Sequence, residues 1–108
     1  MEPTLSSGDL VLVNERAYRV RPPRRGELVA ARPATSGDRA LVKRITGLPR
    51  ERLEVAGRSW QLGENQYFLL GDQPDQSRDS RSFGPVSSRE LMGPIQCRLW
   101  PRPKRVVQ

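Results

Sequence analysis

Short apolar runs, each ended by a turn-forming residue, are the feature that most limits the fold of this 108-residue chain. Residues 10–13 and 67–70 are two such runs, and glycine, proline or polar residues soon follow each of them. Runs of this length suit β-strands but are too short for a helix of ordinary length. Because about seven such runs can be identified, the sequence predicts an all-β barrel or sandwich of short strands.

Composition excludes several kinds of site. The length is that of one small domain, which we assign to residues 1–108. The chain contains no histidine and one cysteine, Cys97, so histidine-based triads, ordinary zinc sites and an internal disulfide are ruled out. We therefore expect no metal and no cofactor. No apolar run is long enough to cross a bilayer, which predicts a soluble or peripheral chain without a membrane anchor.

The formal net charge of +7 suggests an anionic partner, either nucleic acid or a lipid headgroup surface. Residues 16–25 are basic and interrupted by two prolines, and they fit a membrane-facing segment or a solvated loop equally well. A basic β-barrel that binds nucleic acid is the alternative function. However, the few aromatic residues do not alternate with basic ones along any predicted strand, as a base-stacking surface requires. We therefore expect a membrane surface as partner and no nucleic acid.

Lysine is rare in this chain, and one lysine lies in an unusual place. All but two of the 19 basic residues are arginine, the exceptions being Lys43 and Lys104. In the predicted strand 39–49, a period of two places Lys43 on the same apolar face as Leu41 and Ile45. The usual outcome is a lysine whose stem packs on that face while its ammonium group reaches water. The alternative is a buried amine of lowered pKa that can accept a proton, which arginine cannot do.

A long polar segment, residues 71–86, follows the predicted strand 67–70. In an extended chain Asp79 and Arg81 point to the same side and can form an ion pair, and Ser77 lies two residues further back on that side. From composition alone this segment is interpreted as a solvated loop of turn-forming residues.

Three motifs resemble those of the signal peptidase I family, membrane-bound serine proteases that remove leader peptides. Residues 71–86 are similar to the family's last conserved box, with the pattern Gly-Asp-x-x-x-x-Ser-x-Asp-Ser-Arg-x-Phe-Gly-x-Val. Residues 42–49, Val-Lys-Arg-x-x-Gly-Leu-Pro, are similar to the box that carries the general base. Residues 1–5, Met-x-Pro-Thr-Leu, are similar to the nucleophile box. The resemblance implies the coiled β-sheet fold of signal peptidases, in a compact form like that of the mitochondrial inner-membrane protease subunits.

The resemblance also implies roles for individual residues. Lys43 would be the general base of a serine–lysine dyad, and Ser77 would hydrogen-bond and orient it. Asp79 and Arg81 would pair to hold the loop at the active site, with Asp72 supporting the turn. The related self-cleaving repressor proteases also carry a lysine on a strand, but they contain nothing similar to the last box.

The implied substrate is the leader peptide of an exported preprotein. It would lie extended beside the strand 41–43 and gain backbone hydrogen bonds by strand addition. Small side chains next to the cleaved bond would be selected by a shallow pocket. By the family's pattern, the walls of this pocket would include Met1, Leu5, Leu41 and Val42.

The family's nucleophilic serine immediately precedes the methionine that corresponds to Met1. We therefore expect the chain as given to be inactive, as a truncated or mis-started form rather than an evolved pseudoenzyme. Ser6 and Ser7 are interpreted as turn hydroxyls and not as replacements for the nucleophile. The expected location is the extracytoplasmic face of the bacterial cytoplasmic membrane, with the mitochondrial inner membrane as the alternative.

Overall fold

The computed structural model of the chain describes residues 10–37, 40–72, 78–100 and 104–105. Their strands are β1 Leu10–Val13, β2 Leu28–Ala31, β3 Leu41–Gly47, β4 Arg52–Val55, β5 Arg58–Gln61, β6 Gln66–Leu70, β7 Val86–Ser87, β8 Leu91–Trp100 and β9 Lys104–Arg105. The helices are α1 Ala17–Val20 and α2 Ser80–Phe83, and two 3-10 turns span Ala34–Ser36 and Ser88–Glu90. The predicted all-β class is confirmed, since each α-helix in the described residues is only four residues long.

One antiparallel sheet contains most of the strands. Its order is β1-β8-β2-β3-β6-β7, with β9 paired to β8, while β4 and β5 form a separate hairpin. The long strand β8 pairs with β2 through residues 91–94 and with β1 through residues 95–100. Because β8 lies between β1 and β2, it joins the first and last parts of the described chain in one sheet.

The strand β2 lies at the centre of the molecule, and all four of its residues are buried. Its side chains alternate between two apolar clusters, one on each face of the sheet. The first cluster contains Val29, Ala31, Ile45, Tyr67, Leu69, Val86 and Leu91. The second contains Leu28, Ala30 and Ile95, with Val13, Val42 and Met92 packed against it. A short strand that is apolar at every position is typical of one that is covered on both faces.

The alternation predicted for β3 is confirmed by its pairing with β2. Lys43 lies opposite Val29 and Leu41 opposite Ala31, so both share the face of the first cluster. Val42 lies opposite Ala30 and packs against the second cluster.

The β4–β5 hairpin turns at Ala56–Gly57. Both residues have positive φ, 54° and 78°, which is the pattern of the type I′ turn that suits the twist of two-residue hairpins. The ring of Trp60 packs against Phe68 with a centroid separation of 5.0 Å, which connects the hairpin to β6.

A serine-capped 3-10 turn, Ser88–Glu90, precedes β8. The Ser87 N–H donates to Glu90 Oε1 at 2.7 Å within a reciprocal capping box. The other carboxylate oxygen of Glu90 accepts from the Ala34 N–H at 2.7 Å, which links this turn to the chain after β2.

A buried carboxylate, Glu27, holds the segment between β1 and β2. Tyr18 Oη donates to it at 3.0 Å, the Arg24 N–H at 2.8 Å, and Arg21 forms an ion pair with it at 2.5 Å. Burial alone would raise the pKa of Glu27, but these hydrogen bonds outweigh burial and lower it. The short helix α1, which the sequence did not predict, is fixed by these contacts.

Gly47 occupies a position where a side chain has no room. An added Cβ would lie 2.9 Å from Cβ of Phe68 and 3.0 Å from Cδ1 of Leu62. Because the Cβ of Phe68 moves only with its backbone, we expect Gly47→Ala to lower the free energy of unfolding by about 1–3 kcal/mol in urea denaturation.

The matched control is Gly63→Ala. The nearest atom to its added Cβ is the flexible side-chain oxygen of Gln66, at 3.4 Å. We expect this variant to stay within about 0.5 kcal/mol of the parent chain. Equal losses in the two variants would contradict the steric account of Gly47.

Candidate active site

The side chain of Lys43 is buried inside the sheet rather than extended into water. It lies near the middle of β3 and is only 5% exposed. Its cross-strand neighbour is Val29, and Ile45, two residues along the strand, belongs to the first apolar cluster. The structure therefore favours the buried amine over the usual lysine that reaches solvent.

Burial lowers the pKa of the Lys43 ammonium group below its ordinary value. The carboxylate of Asp79 opposes this effect and raises the pKa, while the nearby Arg81 lowers it further. The net direction is down. A lower pKa increases the fraction of the amine that is neutral at physiological pH and can accept a proton.

The carboxylate beside Lys43 belongs to an almost fully buried residue, Asp79, which is 1% exposed. Arg81 donates to it twice through its guanidinium group, from Nε at 2.9 Å and from Nη2 at 2.6 Å. The Arg81 N–H donates at 3.0 Å, so Asp79 also caps the start of α2. The Gly71 N–H donates to the other oxygen at 3.0 Å and ties Asp79 to the end of β6.

These contacts decide the protonation state of Asp79. Burial alone would raise the pKa of its carboxyl group, but the hydrogen bonds from Arg81 and Gly71 outweigh burial and lower the pKa. Asp79 therefore stays ionised and paired with Arg81 at neutral pH. The two charges of this ion pair act on the pKa of Lys43 in opposite directions: Asp79 raises it and Arg81 lowers it. Their effects therefore partly cancel.

Ser80, to which sequence reasoning assigned no role, fixes α2 against the sheet. Its side chain is fully buried, and its Oγ accepts the Leu69 N–H of β6 at 2.9 Å. Because Ser80 is adjacent to Asp79 in the chain, this bond also helps to fix the position of the Asp79 carboxylate relative to β6. The motif of residues 71–86 does specify a serine at position 80, which was the signal that could have pointed to it.

A second ion pair lies on the opposite face of β3. Arg44 donates to Asp72 through Nε and Nη2, both at 3.0 Å, which is the bidentate geometry of strong arginine–carboxylate pairs. Arg44 also donates from Nη1 to the Gly26 carbonyl at 2.8 Å. Asp72 is thus tied to the strand that carries Lys43, a contact that sequence reasoning missed because it assigned no role to Arg44.

The predicted site residues fall into three groups. Lys43, Asp79 and Arg81 come together on one face of the sheet, and Leu41 shares that face. Asp72 and Val42 are associated with the opposite face, through Arg44 and the second cluster respectively. Ser77, Met1 and Leu5 lie outside the described residues.

The part of β3 that precedes Arg44 has a partner on one side. Residues 41–44 pair with β2, whereas the ladder with β6 begins only at Arg44, opposite Leu70. Among the described residues, no strand extends this second ladder back to Leu41. Within the described part of the chain, residues 41–43 therefore pair with a strand on the β2 side only.

The described residues contain no group of three or more histidine, cysteine, aspartate or glutamate side chains placed to hold a metal ion. None of their helices has the length and apolar character needed to cross a membrane.

The pKa of Lys43 can be measured directly because the chain has only two lysines. We expect one signal of isotopically labelled lysine side chains to titrate below the ordinary lysine pKa, and Lys43→Met to remove it in an NMR titration. Asp79→Asn should lower this pKa further, because it removes the carboxylate that raises it. Arg81→Gln should raise the pKa, because it removes a like charge.

Asp72→Asn is the matched control for the first of these variants. It also removes one carboxylate, but Asp72 pairs with Arg44 and is not among the groups that shift the pKa of Lys43. A shift as large as that of Asp79→Asn would show that the effect is not local.

The same pKa shift predicts how stability depends on pH. Between the pKa in the folded chain and 10.5, the ordinary value, the unfolded chain binds more protons at Lys43 than the folded chain does. We therefore compare the unfolding free energy of the parent chain with that of Lys43→Met. The difference, parent minus variant, should rise with pH across this window and stay constant below it. Urea denaturation at several pH values measures the difference. If Lys104→Met gives the same rise, burial of Lys43 is not its cause.

Comparison with known proteins points to one family. The sequence profile of the family described as "Signal peptidase, peptidase S26" matches residues 1–59 and 52–100. A Synechocystis sp. protein named "Probable signal peptidase I-2" is 32% identical over 96% of this chain and 61% of its own length. An Arabidopsis thaliana protein named "Mitochondrial ATP-independent inner membrane protease subunit 1b" is 31% identical over 94% of this chain and 65% of its own length.

A third relative, "Signal peptidase I" of Bacillus caldolyticus, is 28% identical over 94% of this chain and 75% of its own length. The chain thus spans less than two thirds of the length of the Synechocystis and Arabidopsis relatives, at 61% and 65%, and a larger share of the Bacillus relative.

Proposed function

This chain belongs to the signal peptidase family, and on that premise we propose that it is the catalytic part of a serine endopeptidase that removes leader peptides from exported proteins. The single observation that supports this proposal most is the burial of Lys43 beside the Asp79–Arg81 pair. A lysine held in this way is suited to lose its proton and to act as a general base without histidine.

In this proposal the nucleophile is a serine directly before Met1, the position that the family's pattern gives it. The neutral Nζ of Lys43 takes the proton of that serine as its Oγ attacks the scissile carbonyl carbon. The Lys43 ammonium group then gives a proton to the leaving amine as the peptide bond breaks, which leaves an acyl ester on the serine. Water, deprotonated by the same amine, hydrolyses the ester and restores the serine.

The supporting residues have separate roles in this mechanism. By the family's pattern, Ser77 would hydrogen-bond Lys43 and orient it. Asp79 keeps Arg81 in place and limits how far the pKa of Lys43 falls, because its negative charge favours the ammonium form. Asp72 acts through Arg44, on the other face of the same strand.

The substrate is proposed to add as a strand at the edge of β3 formed by residues 41–43. Backbone pairing of this kind fixes which substrate side chains face the side of the sheet where Lys43 lies. Met1, Leu5 and Leu41 would contribute walls of the pocket for small side chains. Val42, which the family's pattern also assigns to this pocket, packs against the second cluster on the opposite face.

The setting of the activity is a membrane. The relatives are named as bacterial signal peptidases and mitochondrial inner membrane protease subunits. We place this chain at the extracytoplasmic face of the bacterial cytoplasmic membrane, with the mitochondrial inner membrane as the alternative, and its partners would be preproteins and the anionic membrane surface.

The test uses the chain with a serine added directly before Met1 and a synthetic leader peptide as substrate. We expect cleavage after a small residue, and we expect Lys43→Ala to reduce kcat/KM by roughly 10²–10⁴-fold, the usual contribution of a general base. Lys43→Arg is the matched control, because it keeps the positive charge but cannot accept a proton. It should be as inactive as Lys43→Ala.

The pH profile separates catalysis from folding. The value of kcat/KM should fall on the acid side of the Lys43 pKa measured by NMR in the same chain. Cleavage that survives Lys43→Arg would refute Lys43 as the base, and failure of the serine-bearing chain to cleave any leader peptide would refute the proposed activity.

A further inference from the structure

The helix α1 presents an unusual surface to solvent. Val20 is 86% exposed, and it is one of two large apolar side chains that are exposed among the described residues. The other is Leu12, on the strand just before the helix, at 44%. Both lie within a stretch of nine residues, in a sequence that is otherwise rich in arginine.

The helix is fixed, so the exposure of Val20 is not caused by a loose segment. Ala17 is buried, and Tyr18 and Arg21 bind the buried carboxylate of Glu27. The N–H of Arg21 also donates to the Ala17 carbonyl at 3.1 Å and closes the helix. These contacts hold one face of α1 against the sheet and turn the other face outwards.

The outward face combines Val20 with uncompensated positive charge. Arg16, Arg19 and Val20 are spaced i, i+3, i+4, which brings them to one side of the helix. The side chains of Arg16, Arg19 and Arg24 are exposed, and no carboxylate among the described residues pairs with them. Glu15 is the exposed acidic residue beside them. By contrast, Arg21 and Arg25 are already paired, with Glu27 and Glu51.

We propose that this surface, formed by Arg16, Arg19 and Val20 and called here the α1 surface, docks the chain on an anionic lipid bilayer. The arginines contact lipid phosphates, and Val20 enters the boundary between headgroups and acyl chains. An exposed aliphatic side chain beside basic residues gains free energy from lipid but not from the phosphates of a nucleic acid. The proposal deepens the proposed function, since it names the part of the chain that meets the membrane.

The test is co-sedimentation of the 108-residue chain with unilamellar vesicles at low ionic strength. We expect binding to vesicles of phosphatidylcholine and phosphatidylglycerol and little binding to phosphatidylcholine alone. Arg16→Gln/Arg19→Gln should weaken the partition coefficient by roughly 25-fold, because each basic residue near an anionic surface contributes about a factor of five. Val20→Ser should weaken it by about ten-fold at unchanged charge.

The matched control is Arg52→Gln/Arg89→Gln, which removes the same charge from two exposed arginines on other elements. It should reduce binding much less than Arg16→Gln/Arg19→Gln. Equal losses in the two double variants would overturn the proposal, as would the absence of any vesicle binding by the parent chain.

Two further outcomes are decisive. Binding of single-stranded DNA that depends on Arg16 and Arg19, without vesicle binding, would assign the α1 surface to nucleic acid instead. Cleavage of a soluble leader peptide by the serine-bearing chain needs no vesicle. A parent chain that binds no vesicles, while its serine-bearing form cleaves the peptide, would therefore overturn the docking surface alone. A serine-bearing chain that does not cleave, although the parent binds vesicles, would overturn the proposed activity alone.

Discussion

The site depends on placing a lysine amine in an apolar part of the sheet beside an ion pair that is already neutral. If Asp79 were unpaired, its full negative charge would favour the ammonium form of Lys43 and oppose the effect of burial. Arg81 prevents this, because it binds Asp79 tightly and itself disfavours a second positive charge. The balance leaves burial as the largest influence on Lys43, and that is the condition under which a lysine can exchange a proton near neutral pH.

This balance requires that the loop and the strand keep a fixed separation. Two hydrogen bonds tie the loop to β6, from the Leu69 N–H to Ser80 and from the Gly71 N–H to Asp79. The bidentate Arg44–Asp72 pair ties the start of the same loop to β3 from the other face. Because the three contacts use different atoms, the loss of one leaves the other two to hold the loop, although less rigidly.

Much of this arrangement follows from local sequence, and the rest depends on distant contacts. The period of two in β3 was enough to place Lys43 on an apolar face. The apolar runs 10–13 and 67–70 lie within one residue of β1 and β6, whereas β3 is shorter than the predicted strand 39–49. The pairing of Asp79 with Arg81 was expected from an extended chain, but it forms because Asp79 caps α2. The helix that Glu27 anchors is too short to leave a periodic signal, and the bond of Ser80 depends on a strand eleven residues away.

The choice between arginine and lysine separates two uses of positive charge in this chain. Arginine as a residue type stays protonated at any physiological pH, so it suits a surface that needs permanent positive charge. Lys43 is placed where charge is disfavoured, and lysine, unlike arginine, can give up its proton there. A guanidinium group in the same position would stay charged, and it could not accept the proton of a hydroxyl group. The nearly complete use of arginine elsewhere is therefore consistent with a chain in which surface attraction and proton transfer are assigned to different side chains.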